Sequence, residues 1–121
     1  MELYREIILD HYRNPRGWGT LKKPTAEAQG YNELCGDQLN MQVLVENGII
    51  KTMVFTGHGC AISLATASLL SEVIGGKEIS TVQKLSSEDI QELLGTRLPP
   101  TRLKCGLLPL ETIQLACAKL K

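Results

Sequence analysis

Three of the four cysteines in this chain have neighbours that leave a sulfur accessible for chemistry. Cys35 precedes Gly36, Cys60 follows Gly57-His58-Gly59, and Cys105 precedes Gly106, whereas Cys117 stands between alanines. A thiolate is both a nucleophile and a soft metal ligand, so three of them presented together could form a metal or redox site. Cys60 sits where a strand-like run ends and a long apolar helix begins. Unpaired backbone N–H groups and the positive end of the helix dipole favour thiolate over thiol there. Asp37, two residues after Cys35, can turn its carboxylate to the same side as a fourth, oxygen ligand; as a loop residue accepting backbone N–H bonds it has an equally simple role. The cysteines are too far apart in sequence for a zinc knuckle, and spacing alone does not specify a metal. On the residues alone, a shared metal or redox site and a set of small buried core residues both remain open. His58, His11 and Cys117 read as a solvated loop residue, a helix-end residue and a core residue.

The elements between the cysteines decide whether they can meet. Residues 2 to 12 carry apolar side chains at helical spacing and stop before Asn14-Pro15; residues 13 to 24 read as loop. Residues 25 to 31 have modest strand character. Residues 38 to 46 alternate clearly, with Leu39, Met41, Val43 and Val45 on one face. Asn47-Gly48 followed by a β-branched run over residues 49 to 56 predicts a hairpin, and so a small antiparallel sheet in an α+β fold. Small residues interleaved with Ile and Leu over 61 to 74 predict a buried helix ended by Gly75-Gly76. Ser80 can cap a short turn, and Ser86 with Asp89 predicts a capping box for a helix to about Leu94. Pro99-Pro100 predicts a stiff extended connector, with the last helix starting near Leu107 and carrying Pro109 in its first turn. Cys105 is then expected just before a helix N-terminus.

Composition narrows the function. With 121 residues the chain is expected to form one domain, 1–121, burying roughly two thirds of its unfolded surface without disulfides. Lys plus Arg and Asp plus Glu number 13 each, so no positive field draws nucleic acid or an anionic membrane. The residues offer no secretory leader and no run of about 18 apolar residues. A cytoplasmic protein with reduced thiols is expected. Dinucleotide, Walker A and Gly-x-Ser-x-Gly patterns do not occur.

The segments Asn32-Glu33-Leu34-Cys35-Gly36-Asp37, Gly57-His58-Gly59-Cys60-Ala61-Ile62-Ser63 and Leu98-Pro99-Pro100-Thr101-Arg102-Leu103-Lys104-Cys105, with the opening Leu9-Asp10-His11-Tyr12-Arg13-Asn14-Pro15, resemble the IscU/SufU/NifU-N family of iron–sulfur cluster assembly proteins. The resemblance spans nearly the whole chain. It implies a three-stranded antiparallel sheet packed by about four to five helices, and a site where Cys35, Asp37, Cys60 and Cys105 converge on a metal. It implies a scaffold rather than an enzyme: sulfur arrives from a cysteine desulfurase, iron binds, and a transient 2Fe–2S cluster passes to recipient apoproteins. The alternative is a zinc-dependent sulfurtransferase of SufU type, with Zn²⁺ on the same four residues. Cys105 is then the first candidate persulfide acceptor, with Lys104 assisting electrostatically by lowering its pKa, and Cys35 takes that place in the SufU branch. Glu33 stands where the family usually has proline. Lys104 replaces the IscU histidine as in SufU, yet the SufU insertion between the second and third cysteines is missing. Thr101-Arg102 departs from the segment that IscU proteins offer to a chaperone, which weakens the case for that partnership.

Overall fold

The computed structural model describes residues 2–33 and 35–120, with side chains from Arg5 onward; Leu34 of the first cysteine motif and the Leu3 and Tyr4 side chains lie outside it. The order is α1 (Glu2–Arg13), β1 (Ala26–Asn32), β2 (Asp37–Glu46), β3 (Ile49–His58), α2 (Ala61–Val73), α3 (Ile79–Gln83), α4 (Ser87–Leu94) and α5 (Pro100–Ala118). The strands form one antiparallel sheet in the order β1-β2-β3, so the fold is α+β as the sequence indicates.

Alternation explains the sheet. Leu39, Met41 and Val43 on β2 are wholly buried, and Ala26 and Ala28 on β1 turn to the same face. Asn47 and Gly48 both have positive φ, 53° and 77°, the backbone that a two-residue hairpin matched to strand twist requires. A bulge at Leu44/Val45 leaves Lys51 as an extra residue on β3, which lets Ile50 and Met53 both face inward across a break in the period of two.

The free edge of β3 is covered at two places. The Phe55 N–H donates to Gly17 O at 2.8 Å and the Gly19 N–H to Phe55 O at 2.9 Å, with the Trp18 ring edge-on to Phe55 at 5.4 Å. Part of the segment expected to be plain loop thus pairs with the sheet. Lys77 and Glu78 pair with Ile50 and Ile49 at the other end. The buried Ala65, Ala67 and Leu70 of α2 lie between α1 and α5, and α5 crosses β1 and β2. The capping box of Ser86 and Asp89 forms, and Gly95 ends α4 at φ 79°.

The last helix differs from expectation. It starts at Pro100, with Pro99 as N-cap, rather than near Leu107. Prolines at the N-cap and first helical position start a helix, since neither has an N–H that needs a partner and both have φ preset. Cys105 therefore lies inside α5, and Pro109 lies in the helix interior rather than its first turn.

Candidate metal and sulfur site

Three chain segments meet at one end of the sheet. The β1–β2 connection carries Cys35, Asp37 opens β2, Cys60 is the N-cap of α2, and Cys105 comes from the second turn of α5. The Cys35 and Cys105 sulfurs are 3.1 Å apart, and one thiol donates to the other. One oxygen of Asp37 and these two sulfurs all lie within 4.8 Å of one another. The Cys60 sulfur is 3.9 Å from Asp37 Oδ2 and interacts with the Cys105 thiol. Cys117 is buried in the core with Leu110 and Ile113.

Asp37 is fixed by the helix that it faces. Its Oδ1 accepts the Cys60 backbone N–H at 2.8 Å, placing a carboxylate at the positive end of α2. Cys60 itself provides no side-chain cap. The approach requires Gly59, because a β carbon there would stand 2.5 Å from Asp37 Oδ1 and 2.8 Å from Ser63 Oγ.

Exposure separates the three sulfurs. Cys35 is exposed, Cys60 half-buried and Cys105 fully buried. The expectation of three equally presented thiols fails at Cys105, because the helix holding it begins earlier and rolls it inward. Burial pushes the Cys105 thiol pKa well up; hydrogen bonds with Cys35 and Cys60, then the charges of Cys60 and Asp37, push the same way. The expected downward pull of Lys104 is not among these causes. Lys104 instead lines a pocket with Tyr31, Asn32, Leu107, Leu108 and Glu111. His58 ends β3 opposite Gln38, exposed and outside the donor group.

Two neighbours of the sulfurs escaped sequence reading. Asn32 Nδ2 donates to Cys105 Sγ at 3.7 Å. Ser63 Oγ, fully buried, donates to the Cys60 carbonyl at 3.2 Å and lies 3.9 Å from the Cys60 sulfur. For Asn32 a signal existed: strand alternation places this polar residue on the inward face of β1.

The donor set fits a tetrahedral metal. Zn–S bonds of about 2.3 Å and Zn–O bonds of about 2.0 Å place adjacent ligand atoms roughly 3.5–3.8 Å apart, within about 0.7 Å of the 3.1 and 3.9 Å separations here. The Cys60 sulfur lies outside the group of donors within 4.8 Å and reaches it through Asp37.

Fold and site together define a small α+β protein whose distant cysteines gather at the start of a buried helix beside a carboxylate. The chain belongs to the family of the NifU-like N-terminal domain, which matches residues 3–121. It is 32% identical to the zinc-dependent sulfurtransferase SufU of Bacillus subtilis, over 97% of this chain and 90% of that protein. It is 38% identical to the iron–sulfur cluster assembly scaffold protein IscU of Aquifex aeolicus, over 93% of this chain and 73% of that protein. A solved structure proposed to be an iron–sulfur cluster assembly scaffold for the SUF system of Fervidobacterium islandicum superposes with a TM-score of 0.79 at 28% identity, covering 93% and 94% of the two chains. Among the described residues, no helix is long and apolar enough to cross a membrane.

Proposed function

We propose that this protein is an iron–sulfur cluster assembly scaffold, which accepts sulfur from a cysteine desulfurase, binds iron and passes a nascent 2Fe–2S cluster to apoproteins. The observation that carries the reading is the convergence of Cys35, Asp37 and Cys105, with Cys60 against Asp37, from segments far apart in sequence. A reducing compartment such as the cytoplasm suits it, because the thiols must stay reduced.

Exposure supports Cys35 for the first step. Its thiolate can attack the outer sulfur of a persulfide on the desulfurase, forming a new S–S bond as the old one breaks and the desulfurase cysteine leaves as thiolate. Cys105 lies 3.1 Å away, near enough to receive that sulfur or to join the ligand shell. Asp37 and Cys60, tied together through the α2 N-terminus, would hold the other side of the cargo. A carboxylate is a weaker partner for iron than a thiolate, and this suits a cluster that has to leave.

A zinc-dependent sulfurtransferase is the second reading. It is favoured by the kinship with the Bacillus protein and by Lys104 before the last cysteine. Cys35, Asp37, Cys60 and Cys105 would then hold Zn²⁺, which keeps thiolates deprotonated at neutral pH. Anaerobic incubation with ferrous iron, cysteine and a desulfurase separates the two. A visible absorbance band of a 2Fe–2S cluster that moves to an apoferredoxin supports the scaffold. Tightly held zinc, with faster desulfurase turnover and no such band, supports the sulfurtransferase.

A further inference from the structure

We propose that Asn32 is a positioning residue that holds Cys35 through its backbone and tunes Cys105 through its side chain; the inference rests on the metal-site reading above. Asn32 ends β1 directly across from Asp37, which begins β2. Its carbonyl accepts the Gly36 N–H at 2.8 Å and the Cys35 N–H at 3.2 Å, closing the turn that presents Cys35. Its side chain points the other way, into the buried face under α5, where Nδ2 donates to Cys105 Sγ at 3.7 Å. One residue therefore supports two sulfurs that lie 3.1 Å apart, and it fixes their separation from both sides.

The side-chain bond has a direction that matters chemically. An amide N–H donated to a thiolate is a charge-assisted bond, stronger than the same bond to a thiol. Asn32 therefore favours the metal-bound or sulfur-transferring thiolate of Cys105 through the bond that it donates. The donated bond also withdraws electron density from the sulfur, one of the ways hydrogen bonds to cysteine sulfurs tune a metal centre. An aspartate side chain in the same place would have nearly the same shape, with an oxygen facing the sulfur in place of the donor. A leucine side chain would keep the volume and offer no polar partner.

Cobalt(II), which reports thiolate ligation by charge-transfer absorption in the near ultraviolet, is the probe. Asn32→Leu and Asn32→Asp should each weaken cobalt and zinc binding about 10-fold or more, Asn32→Asp the more strongly. Both should move the thiolate charge-transfer band to lower energy. In a Cys105→Ala background the same substitutions should leave the band in place and change affinity by no more than about twofold, since the coupling partner is gone. A normal wild-type band that moves in neither variant would overturn the assignment while leaving the metal site intact. A role confined to architecture would also overturn it, and would show as both variants failing to fold when Cys105→Ala folds. If the wild-type protein gives no thiolate band at all, the metal-site reading fails and this inference with it.

Discussion

Asp37 Oδ1 accepts the backbone N–H of Cys60 at 2.8 Å, while Oδ2 of the same carboxylate lies 3.9 Å from the Cys60 sulfur. One side chain thus caps a helix and faces a candidate ligand. The two tasks respond differently to substitution. Asp37→Ala should weaken zinc binding at least about 10-fold, about 1.4 kcal/mol, and should also cost about 1 kcal/mol of stability through the lost cap. Asp37→Asn keeps an oxygen for the N–H, so its melting temperature should stay near wild type while zinc affinity still falls. Lys104→Ala should change zinc affinity little. Chelator competition and thermal melts check this, and zinc loss in Lys104→Ala or His58→Ala but not in Asp37→Ala would refute it.

The close pair of Cys35 and Cys105 predicts the outcome of oxidation. Diamide, which takes two electrons and two protons from a pair of thiols, should join these two in the zinc-free protein, because their sulfurs already lie 3.1 Å apart. Added zinc should slow the reaction by holding both thiolates. Peptide mapping by mass spectrometry gives the answer, and a Cys35–Cys60 or Cys60–Cys105 linkage as the main product would contradict it.

Features written locally were legible in the sequence. The Asn47-Gly48 turn, the alternation of Leu39, Met41 and Val43, and the Ser86–Asp89 box each depend on residues within one turn or strand, and the structure places them as read. What depended on tertiary pairing was not legible. The Lys51 bulge is a matter of register between strands, and the pairing of Gly17 and Gly19 with Phe55 has no period to reveal it. Pro99-Pro100 was ambiguous, since the same pair can end an element or begin one; the start of α5 turned on that choice and took the burial of Cys105 with it. The donor group of Cys35, Asp37 and Cys105 was legible through family resemblance. Cysteine spacing alone would not have given it.

His11 predicts a pH dependence. Its Nδ1 lies 2.7 Å from Ser68 Oγ, and that hydroxyl also accepts the Arg16 backbone N–H at 2.8 Å. The Ser68 hydrogen can then point to Nδ1, leaving the Nε2 hydrogen toward Glu72 Oε1 at 3.7 Å. Burial, and after it the Arg16 charge, hold the His11 pKa below its usual 6.5, against the pull of Glu72 and Asp10. The folded state thus keeps the ring neutral where the unfolded chain would take a proton. Stability should be full above about pH 6.5 and should fall as the pH drops toward the lowered folded value. His11→Asn, which keeps an acceptor for Ser68 and does not titrate, should remove this part of the slope. Melting curves at about pH 7.5, 6.5 and 5.5 test it, and identical slopes for the two proteins would show that other groups carry the dependence.

The last prediction concerns how a buried Cys105 takes part in chemistry at all. Cys35 is exposed and Cys105 has no solvent-accessible surface, so sulfur from a desulfurase should appear on Cys35 first. Cys35→Ser should abolish early persulfide labelling, whereas Cys105→Ser should leave it. Sulfur can pass to Cys105 from Cys35, 3.1 Å away; for Cys105 to meet a partner from solvent directly, its stretch of α5 has to loosen, and Pro109 stands four residues beyond it inside the helix. A proline has no N–H to offer the carbonyl four residues back, here that of Cys105, and its ring crowds that carbonyl. The helix is therefore weakened at the residue whose sulfur has to emerge. Pro109→Ala should restore the bond and raise stability by about 1 kcal/mol or more, since proline in a helix interior costs roughly 3 kcal/mol relative to alanine and the lost ring burial offsets part of the gain. In the zinc-free protein it should also slow alkylation of Cys105 by iodoacetamide while leaving that of Cys35 unchanged. Faster or unaltered Cys105 labelling in Pro109→Ala would mean that the thiol reaches solvent by some route other than the opening of α5.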